Sequence, residues 1–340
     1  MTAVRPEIPQ DERDAALIAG IRSRERRAIA KAITLLESTR PDHRKRADAL
    51  LDALLPHTGD ALRLGISGVP GVGKSTFIEA LGLALIEQGH KIAVLTIDPS
   101  SSVSGGSILG DKTRMERLSV HEAAYIRPSP ASGTLGGVAE KTREAMLVCE
   151  AAGYDIVIVE TVGVGQSETA VAGMTDMFVL LQLPNAGDDL QAIKKGVMEL
   201  ADLVVINKAD IDADAATRAQ ATITGAMRVF SFHGHAHDVP EVIQISALKA
   251  QGIAAFWQQV EAFRDARRQS GAFEQRRKQQ ALAWMWDLIQ ARLQSDFKHH
   301  PAVRAALPVT LRDVAAARIA PSSAAHALLD LFGQRHKKED

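Results

Sequence analysis

The sequence has few of the features that mark secreted, membrane or nucleic-acid-binding proteins. It contains a single cysteine, Cys149, so neither a disulfide nor a cysteine-cluster metal site can form within one chain. No stretch approaches ~18 uninterrupted apolar residues, and the N-terminus lacks a basic start followed by an apolar run. Forty Lys and Arg against 41 Asp and Glu give a net charge of −1, which supplies no broad basic surface. We therefore expect a cytoplasmic protein with no nucleic-acid partner and no membrane partner.

Short apolar runs alternate with helical segments between about residues 61 and 268. The runs are Ile92–Asp98, Tyr154–Thr161, Met177–Leu183, Asp202–Asn207 and Glu241–Ser246. Continuous β-branched runs separated by helices are typical of strands buried on both faces of a parallel sheet. The sequence predicts an α/β fold with a mainly parallel sheet covered by helices on both faces. A bound ligand is then expected at the carboxyl ends of the strands.

Helical periodicity at both ends of the chain predicts two helical extensions. After the sheet region, apolar residues recur at intervals of 4, 3 and 4, the spacing of a helix-packing seam. The seam residues are Leu282, Trp286, Ile289 and Leu293. We predict an N-terminal helical extension over residues 1–60, an α/β domain over 61–270 and a C-terminal helical dimerisation region over 271–340. The alternative is that the seam packs against its own domain.

Residues 68 to 75 read GVPGVGKS, a complete G-x-x-x-x-G-K-S phosphate loop. Its glycines let backbone N–H groups curl around a polyphosphate, its lysine reaches the β- and γ-phosphates, and its serine hydroxyl ligates Mg²⁺. An apolar strand (Arg63–Ser67) precedes it and a helix (Thr76–Gly89) follows, which is the context that the motif requires. The predicted nucleotide-binding residues are Gly68, Val69, Pro70, Gly71, Val72, Gly73, Lys74, Ser75 and Thr76.

Residues 207 to 210 read NKAD, the tetrapeptide with which GTPases recognise guanine. The Asp210 carboxylate can accept from guanine N1–H and from the 2-amino group, whereas adenine would leave it unpaired. Asn207 is expected at the other edge of the base and Lys208 along the ring face. A segment after the last predicted strand stands where GTPases place the loop that completes the guanine pocket, and its expected contacts are Ser246, Ala247 and Leu248. The two motifs together predict binding of GTP and GDP. They also predict that the α/β fold is that of a P-loop NTPase and that residues 61–270 are a P-loop GTPase domain.

The segment ETVGVGQSE, residues 160 to 168, predicts groups that act on the γ-phosphate. An apolar strand ends in Glu160, at the position of the Walker-B acid that holds Mg²⁺ through its water shell. The N–H of Gly163 can meet the γ-phosphate. Val164 stands where Ras-like enzymes place the glutamine that orients water, and Gln166 lies two residues later. Hydrolysis by the chain alone is therefore expected to be slow.

A loop rich in glycine and serine follows the second predicted strand and contains two further acids. We assign Asp98, at the strand end, to the magnesium shell and Asp111 to the attacking water. Such a loop has little to hold it when the γ-phosphate is absent, which suits an ordering switch. The alternative makes Asp111 a helix N-cap. The predicted metal ligands are Ser75, Asp98, Asp111 and Glu160, and the predicted catalytic residues are Lys74, Asp111, Glu160 and Gly163.

Two other sites have simpler interpretations. His233, His235 and His237 alternate as metal ligands on an extended strand would, but glycine and alanine lie between them and no fourth ligand is evident. We expect a polar surface loop. Cys149 lies in an apolar helical segment, where a small buried residue is the expected role rather than a reactive thiol.

These segments resemble the MeaB/ArgK family of GTPases, which includes the human methylmalonic aciduria type A protein. The matching segments are GVPGVGKS, DPSS, GGSILGDKTRM, RPSPASGTLGGVAEKTRE, ETVGVGQSE, DDLQAIKKG and NKAD, between about residues 25 and 290. The resemblance implies a homodimeric GTPase that acts as chaperone of an adenosylcobalamin-dependent acyl-CoA mutase, gating cofactor loading and protecting or rescuing the mutase. The mutase of methylmalonyl-CoA, isobutyryl-CoA, 2-hydroxyisobutyryl-CoA or ethylmalonyl-CoA could be the partner, with its adenosyltransferase as a further candidate.

The resemblance also implies three switch segments: Asp98–Arg117, Glu160–Thr169 and Pro184–Lys195. Gln166 belongs to the second. In the third, Lys194 is the implied coupling lysine, and Asp188 is one of the charged residues that can exchange ion pairs between nucleotide states. Without the resemblance, a solvated charged turn would be the preferred interpretation of the third segment.

Two alternatives belong to other functional classes. A metal-delivery GTPase of the nickel-insertion type would need cysteines or clustered histidines near the switch segments. A kinase acting on periplasmic amino-acid-binding proteins would need an acceptor-activating loop of the H-R-D type, which the sequence lacks. Cobalamin itself is not expected to bind, since no D-x-H-x-x-G stretch occurs in the sequence.

Overall fold

The computed structural model describes residues 10–38, 40–98, 115–130, 135–161, 167–185, 195–231 and 239–333. The chain divides into two compact units, Met1–Arg277 and Lys278–Asp340. The three-part division expected from the sequence stays a prediction.

One seven-stranded parallel sheet forms the centre of the first unit within these ranges. Its strands are β1 (Leu62–Gly68), β2 (Ile92–Asp98), β3 (Ala124–Pro130), β4 (Ile156–Thr161), β5 (Met177–Gln182), β6 (Leu203–Ile206) and β7 (Glu241–Gln244). Their spatial order is β3-β2-β4-β1-β5-β6-β7, so β1 lies in the interior between β4 and β5. The predicted fold class is confirmed.

Helices precede, connect and follow the strands. Those of the first half are α1 (Gln10–Arg22), α2 (Arg26–Leu36), α3 (Pro41–Leu54), α4 (Lys74–Glu87), α5 (Glu116–Val120), α6 (Leu135–Ala151) and α7 (Ser167–Ala172), with a 3-10 turn at Leu55–His57. Those of the second half are α8 (Lys195–Met198), α9 (Ala213–Ser231), α10 (Ile253–Gln269), α11 (Ala272–His299), α12 (Pro301–Ala315) and α13 (Pro321–Gly333). In the portions of the chain that the structure describes, none of the helices is both long and apolar enough to cross a membrane.

Alternate residues of each strand enter two hydrophobic clusters, one on each face of the sheet. On β4, Ile156 and Ile158 belong to one cluster and Val157 and Val159 to the other. Helices α4 and α10 cover the first face, whereas α1, α2, α3 and α6 contribute to the second. The helices before the phosphate loop therefore share a core with the sheet.

Strand β3 is the one strand that sequence patterning does not predict. It contains Pro128 and Pro130, which cannot donate to a ladder and which argue against a strand in a sequence pattern. In the described sheet it pairs with β2 alone and lies at the edge, where proline is tolerated.

The environment of Cys149 agrees with its predicted role. The residue lies on α6 with no exposed surface, in the same cluster as Val157 and Val159. Burial raises the pKa of its thiol, so the nucleophilic thiolate is disfavoured. The prediction of a small buried helix residue is confirmed.

The first turns of α11 are tied to the sheet at the edge where the strands begin. Arg277 donates through Nε to Asp176 Oδ1 at 2.7 Å and through Nη2 to Asp176 Oδ2 at 2.6 Å. Arg276 donates through Nη2 to the carbonyl of Ala172, the last residue of α7, at 3.3 Å. The Asp176 side chain is 1% exposed, and leaving such a buried charge unpaired costs about 3–5 kcal/mol. These two arginines therefore fix the start of α11.

Candidate functional site

The phosphate loop turns between β1 and α4 through three glycines with positive φ. The φ angles of Gly68, Gly71 and Gly73 are 151°, 79° and 95°. A Cβ at Gly68 would lie 2.5 Å from the carbonyl oxygen of Leu181, and one at Gly73 would lie 2.8 Å from Nδ2 of Asn207. A Cβ at Gly71 would meet nothing within 4 Å. The loop thus needs glycine at Gly68 and Gly73, where a side chain would collide with neighbouring atoms, whereas it is open at Gly71. Helix α4 begins directly after the loop, so its first N–H groups are available to an anion.

Lys74 curves back over this loop. Its side chain is buried, and Nζ donates to the carbonyl oxygens of Gly68 at 2.7 Å and Val69 at 3.3 Å. Val72 is fully buried, so its contact with a nucleotide stays a prediction. The ammonium group is therefore positioned inside the loop, and its contact with the β- and γ-phosphates stays a prediction.

Oxygen donors from three elements meet on the α4 side of the sheet. Ser75 Oγ donates to Oε1 of Glu160 at 3.4 Å, and Glu160 is buried. Thr96 pairs in register with Glu160 on the neighbouring strand, and its Oγ1 is buried without a hydrogen-bond partner. Asp98 is the last residue of β2, two residues after Thr96. Hydroxyl and carboxylate oxygens are the donors that Mg²⁺ prefers, so the residues present fit this ion.

Thr96 was not identified from the sequence, although its position two residues before Asp98 gives the signal. The side chain of Asp98 lies outside the described residues. The whole of several other predicted site residues also lies outside them: Asp111, Gly163, Gln166, Asp188, Lys194, His233, His235 and His237. Their roles stay predictions.

Asn207 joins the two ends of the site. Its side chain is 1% exposed. Nδ2 donates to the carbonyl of Val72 at 2.8 Å, and Oδ1 accepts from the backbone N–H of Ala247 at 2.9 Å. An amide side chain offers two N–H groups and two oxygen lone pairs, so these bonds use half of its capacity. Contact of Asn207 with the base stays a prediction, but its place as a link between the two loops follows from these distances.

Lys208 reaches from the base motif to the phosphate loop. Its Nζ donates to the carbonyl of Gly71 at 2.8 Å. Its φ is 62°, in the left-handed region that non-glycine residues rarely adopt. Such a conformation persists only where the surroundings hold it, and it turns the chain at the end of β6 so that this side chain crosses the loop.

Asp210 faces the loop that follows β7. A hydrogen bond from the Ser246 side chain, with a further contribution from Lys249, lowers the pKa of the Asp210 carboxyl. The Lys249 Nζ lies 3.4 Å from Asp210 Oδ2. The carboxylate is thus kept ionised, as an acceptor of guanine donors must be. Lys249 was not identified from the sequence, because only its neighbours Ser246, Ala247 and Leu248 match the expected motif.

The loop itself is closed by its own backbone. Ser246 and Gln251 exchange two N–H···O bonds of 3.0 Å each. Ala247 is buried, whereas Leu248 is 82% exposed. The loop therefore presents one large apolar side chain to solvent, which suits contact with the face of a base.

A parallel sheet with a glycine-rich phosphate loop after an interior strand, and an N-K-A-D turn linked to that loop by Asn207, defines the class of P-loop GTPases. The chain belongs, within that class, to the family described as "Methylmalonyl Co-A mutase-associated GTPase MeaB", whose sequence profile matches residues 29–302.

Individual relatives agree with this assignment. A "Putative GTPase" of Caulobacter vibrioides is 51% identical over 328 residues, 96% of this chain and 99% of the relative. The mouse (Mus musculus) "Methylmalonic aciduria type A homolog, mitochondrial" is 47% identical, over 94% of this chain and 80% of its own length. The crystal structure of a "LAO/AO transport system kinase" superposes with a TM-score of 0.77 at 37% identity, covering 96% of this chain and 99% of that one.

Proposed function

We propose that this protein is a GTP-hydrolysing chaperone of an adenosylcobalamin-dependent acyl-CoA mutase, gating cofactor loading and protecting or reactivating the mutase. The observation that carries the proposal is the family match over residues 29–302, because the family's description names association with methylmalonyl-CoA mutase. Methylmalonyl-CoA mutase or a close relative is therefore the first candidate partner, with its adenosyltransferase as a second.

The geometry supports a division of labour around GTP. The loop from Gly68 to Thr76 surrounds the polyphosphate, and Lys74 neutralises the charge of its outer phosphates. Ser75, Glu160 and Asp98 would hold Mg²⁺, which when bound would stabilise the charge that develops on the transferred phosphoryl group. Asp210, held ionised by its neighbours, reads the N1–H and 2-amino donors that distinguish guanine.

Hydrolysis and signalling complete the proposal. Asp111 orients the attacking water and Gly163 contacts the γ-phosphate. Because Val164 replaces the water-orienting glutamine, turnover is slow until the mutase binds. Gln166 in the second switch segment, and Asp188 and Lys194 in the third, report the nucleotide state to that partner.

The test is GTP turnover measured with each candidate mutase in turn. We expect slow GTP turnover by the protein without a mutase and faster turnover with the correct mutase. The Lys74→Ala variant should not bind nucleotide, so it should show no turnover with or without a mutase. If none of the mutases changes the rate or co-purifies, the chaperone role is wrong. Turnover of the unaccompanied protein would still support its place among GTPases.

We also propose that the protein is a homodimer formed through α11. Four apolar residues on one face of this helix are between 37% and 59% exposed: Leu282, Trp286, Ile289 and Leu293. Trp286→Glu should lower the mass found by light scattering to that of one chain. Ala291→Glu, on the opposite side of α11, is the matched control and should not. A wild-type protein that elutes as a monomer would contradict this proposal and leave the GTPase function untouched.

The structure adds no support for the metal-delivery alternative or for a cytoplasmic location. The metal-delivery alternative depends on His233, His235 and His237, which the structure does not describe. Among the residues that it does describe, no group of three or more His, Cys, Asp or Glu side chains could hold a metal ion. A cytoplasmic location likewise stays a prediction.

A further inference from the structure

Lys249 reaches Asp210 by two routes. Its ammonium nitrogen lies 3.4 Å from Asp210 Oδ2. Its backbone N–H donates to Ser246 Oγ at 3.3 Å, and the Ser246 side chain in turn lowers the pKa of the same carboxylate. A serine hydroxyl has one hydrogen, so accepting from Lys249 leaves its O–H free to donate to Asp210. One residue therefore fixes the carboxylate both directly and through its neighbour.

The carboxylate of Asp210 has room for both the protein and the base. An ionised carboxylate has about four lone-pair sites, and guanine brings two donors, N1–H and the 2-amino group. Lys249 lies on the side of Oδ2, at 3.4 Å. Its position therefore influences the direction in which the carboxylate presents its oxygens to the base.

The positive charge of Lys249 also favours its position next to the Asp210 carboxylate. The Asp210 side chain is only 12% exposed, and a base that covers it removes more water from the carboxylate. A desolvated charge is costly unless it is paired, and guanine is neutral. The Lys249 side chain is 54% exposed, so it can compensate the carboxylate while its own charge stays hydrated.

We infer that Lys249 is a positioning residue for guanine recognition, which holds the Asp210 carboxylate in the orientation that accepts N1–H and the 2-amino group. The inference rests on the proposed binding of guanine nucleotides. It adds a residue to the base pocket that the N-K-A-D motif and the Ser246–Leu248 segment do not include.

The test compares Lys249→Gln and Lys249→Arg with the wild type by titrating fluorescent GDP and by competing it with inosine diphosphate, which lacks the 2-amino group. Lys249→Gln should raise the Kd for GDP about 1.5-fold to fivefold, the range expected for an ion pair with a partly exposed lysine. It should also lower the preference for GDP over inosine diphosphate. Lys249→Arg should restore both. The difference between Lys249→Gln and wild type should shrink as salt is raised, because exposed charges are screened.

Lys45→Gln is the matched control, since Lys45 is an exposed lysine on α3 and its loss changes the net charge equally. Its GDP affinity should equal that of wild type. Unchanged or tighter GDP binding by Lys249→Gln overturns the inference, the latter because the ammonium group would then be competing with the base. An equal loss in Lys45→Gln also overturns it. A wild type that binds no GDP would instead overturn the proposed function.

Discussion

Nδ2 of Asn207 donates to the carbonyl oxygen of Val72 at 2.8 Å, so the residue after β6 holds the phosphate loop by its backbone. The same side chain accepts from the N–H of Ala247 at 2.9 Å. The part of the site expected to hold phosphates and the part expected to hold the base are therefore one connected structure.

Replacing Asn207 by Ala should weaken both the fold and the site. The change leaves the Val72 carbonyl and the Ala247 N–H without this partner, at about 1–3 kcal/mol for each buried group that stays unpaired. We expect a lower free energy of unfolding in urea and weaker binding of GDP. Gln258→Ala, which removes an exposed amide on α10, is the control. Wild-type values for both quantities would show that the two loops do not depend on Asn207.

Asp210→Asn should change which base is preferred. An amide in place of the carboxylate presents a donor where guanine also has donors, whereas xanthine has a carbonyl at position 2 that can accept. We expect the affinity for GDP to fall about tenfold or more and that for xanthosine diphosphate to rise, on the scale of 1.4 kcal/mol per factor of ten. Competition titrations with both nucleotides measure this. A variant that retains the wild-type preference would remove Asp210 from its assigned role.

Gly65→Ala should destabilise the protein because α7 lies directly against β1. A Cβ at Gly65 would lie 2.7 Å from Oγ1 of Thr175 and 2.8 Å from Cγ1 of Val171. Overpacking of this kind costs about 1–3 kcal/mol. Gly225→Ala is the matched control, because Gly225 is on α9 with nothing within 4 Å of an added Cβ, and alanine favours a helix by about 1 kcal/mol. Urea unfolding should therefore shift in opposite directions for the two variants.

Glu144 should make stability depend on pH near neutrality. Burial, opposed in part by Lys141, raises the pKa of this carboxyl from 4.5 to about 7. Between these values the folded protein keeps a proton that the unfolded chain has released, so the free energy of unfolding falls as pH rises and levels off above about 7. At about 1.4 kcal/mol per pKa unit, the effect is roughly 3 kcal/mol or less.

Glu144→Gln removes this titration. Its stability relative to wild type should increase from pH 5 to pH 8, as measured by urea unfolding at each pH. Glu122→Gln, an exposed site, controls for the loss of one negative charge. Parallel stability curves for Glu144→Gln and wild type would contradict the expectation.

Most strands of the sheet were predictable from the sequence because buried parallel strands are continuous apolar runs. Strand β3 was not predictable, because a strand can contain Pro128 only at the edge of the sheet, and the edge position is a property of the assembled sheet. The hydrophobic pattern of a strand indicates its burial and its length, but it does not indicate which strand lies at an edge of the sheet.

The site was predictable where one local motif supplies several groups, as between Gly68 and Ser75. It was not predictable where groups from distant segments meet. Thr96 acquires its place beside Glu160 through strand register, and Lys249 reaches Asp210 through a turn in which Ala250 has a φ of 52°. The linking bonds of Asn207 likewise join positions that are 135 and 40 residues away along the chain.

The two adjacent arginines near the N-terminus of α11 couple the movement of this helix to that of α7. Arg276 holds the final carbonyl of α7, and Arg277 holds Asp176, the residue that leads into β5. If α7 shifts along its axis, the hydrogen bond from Arg276 to Ala172 must either break or move the start of α11 with α7. The ion pair between Arg277 and Asp176 meanwhile keeps the start of α11 attached to the residue before β5.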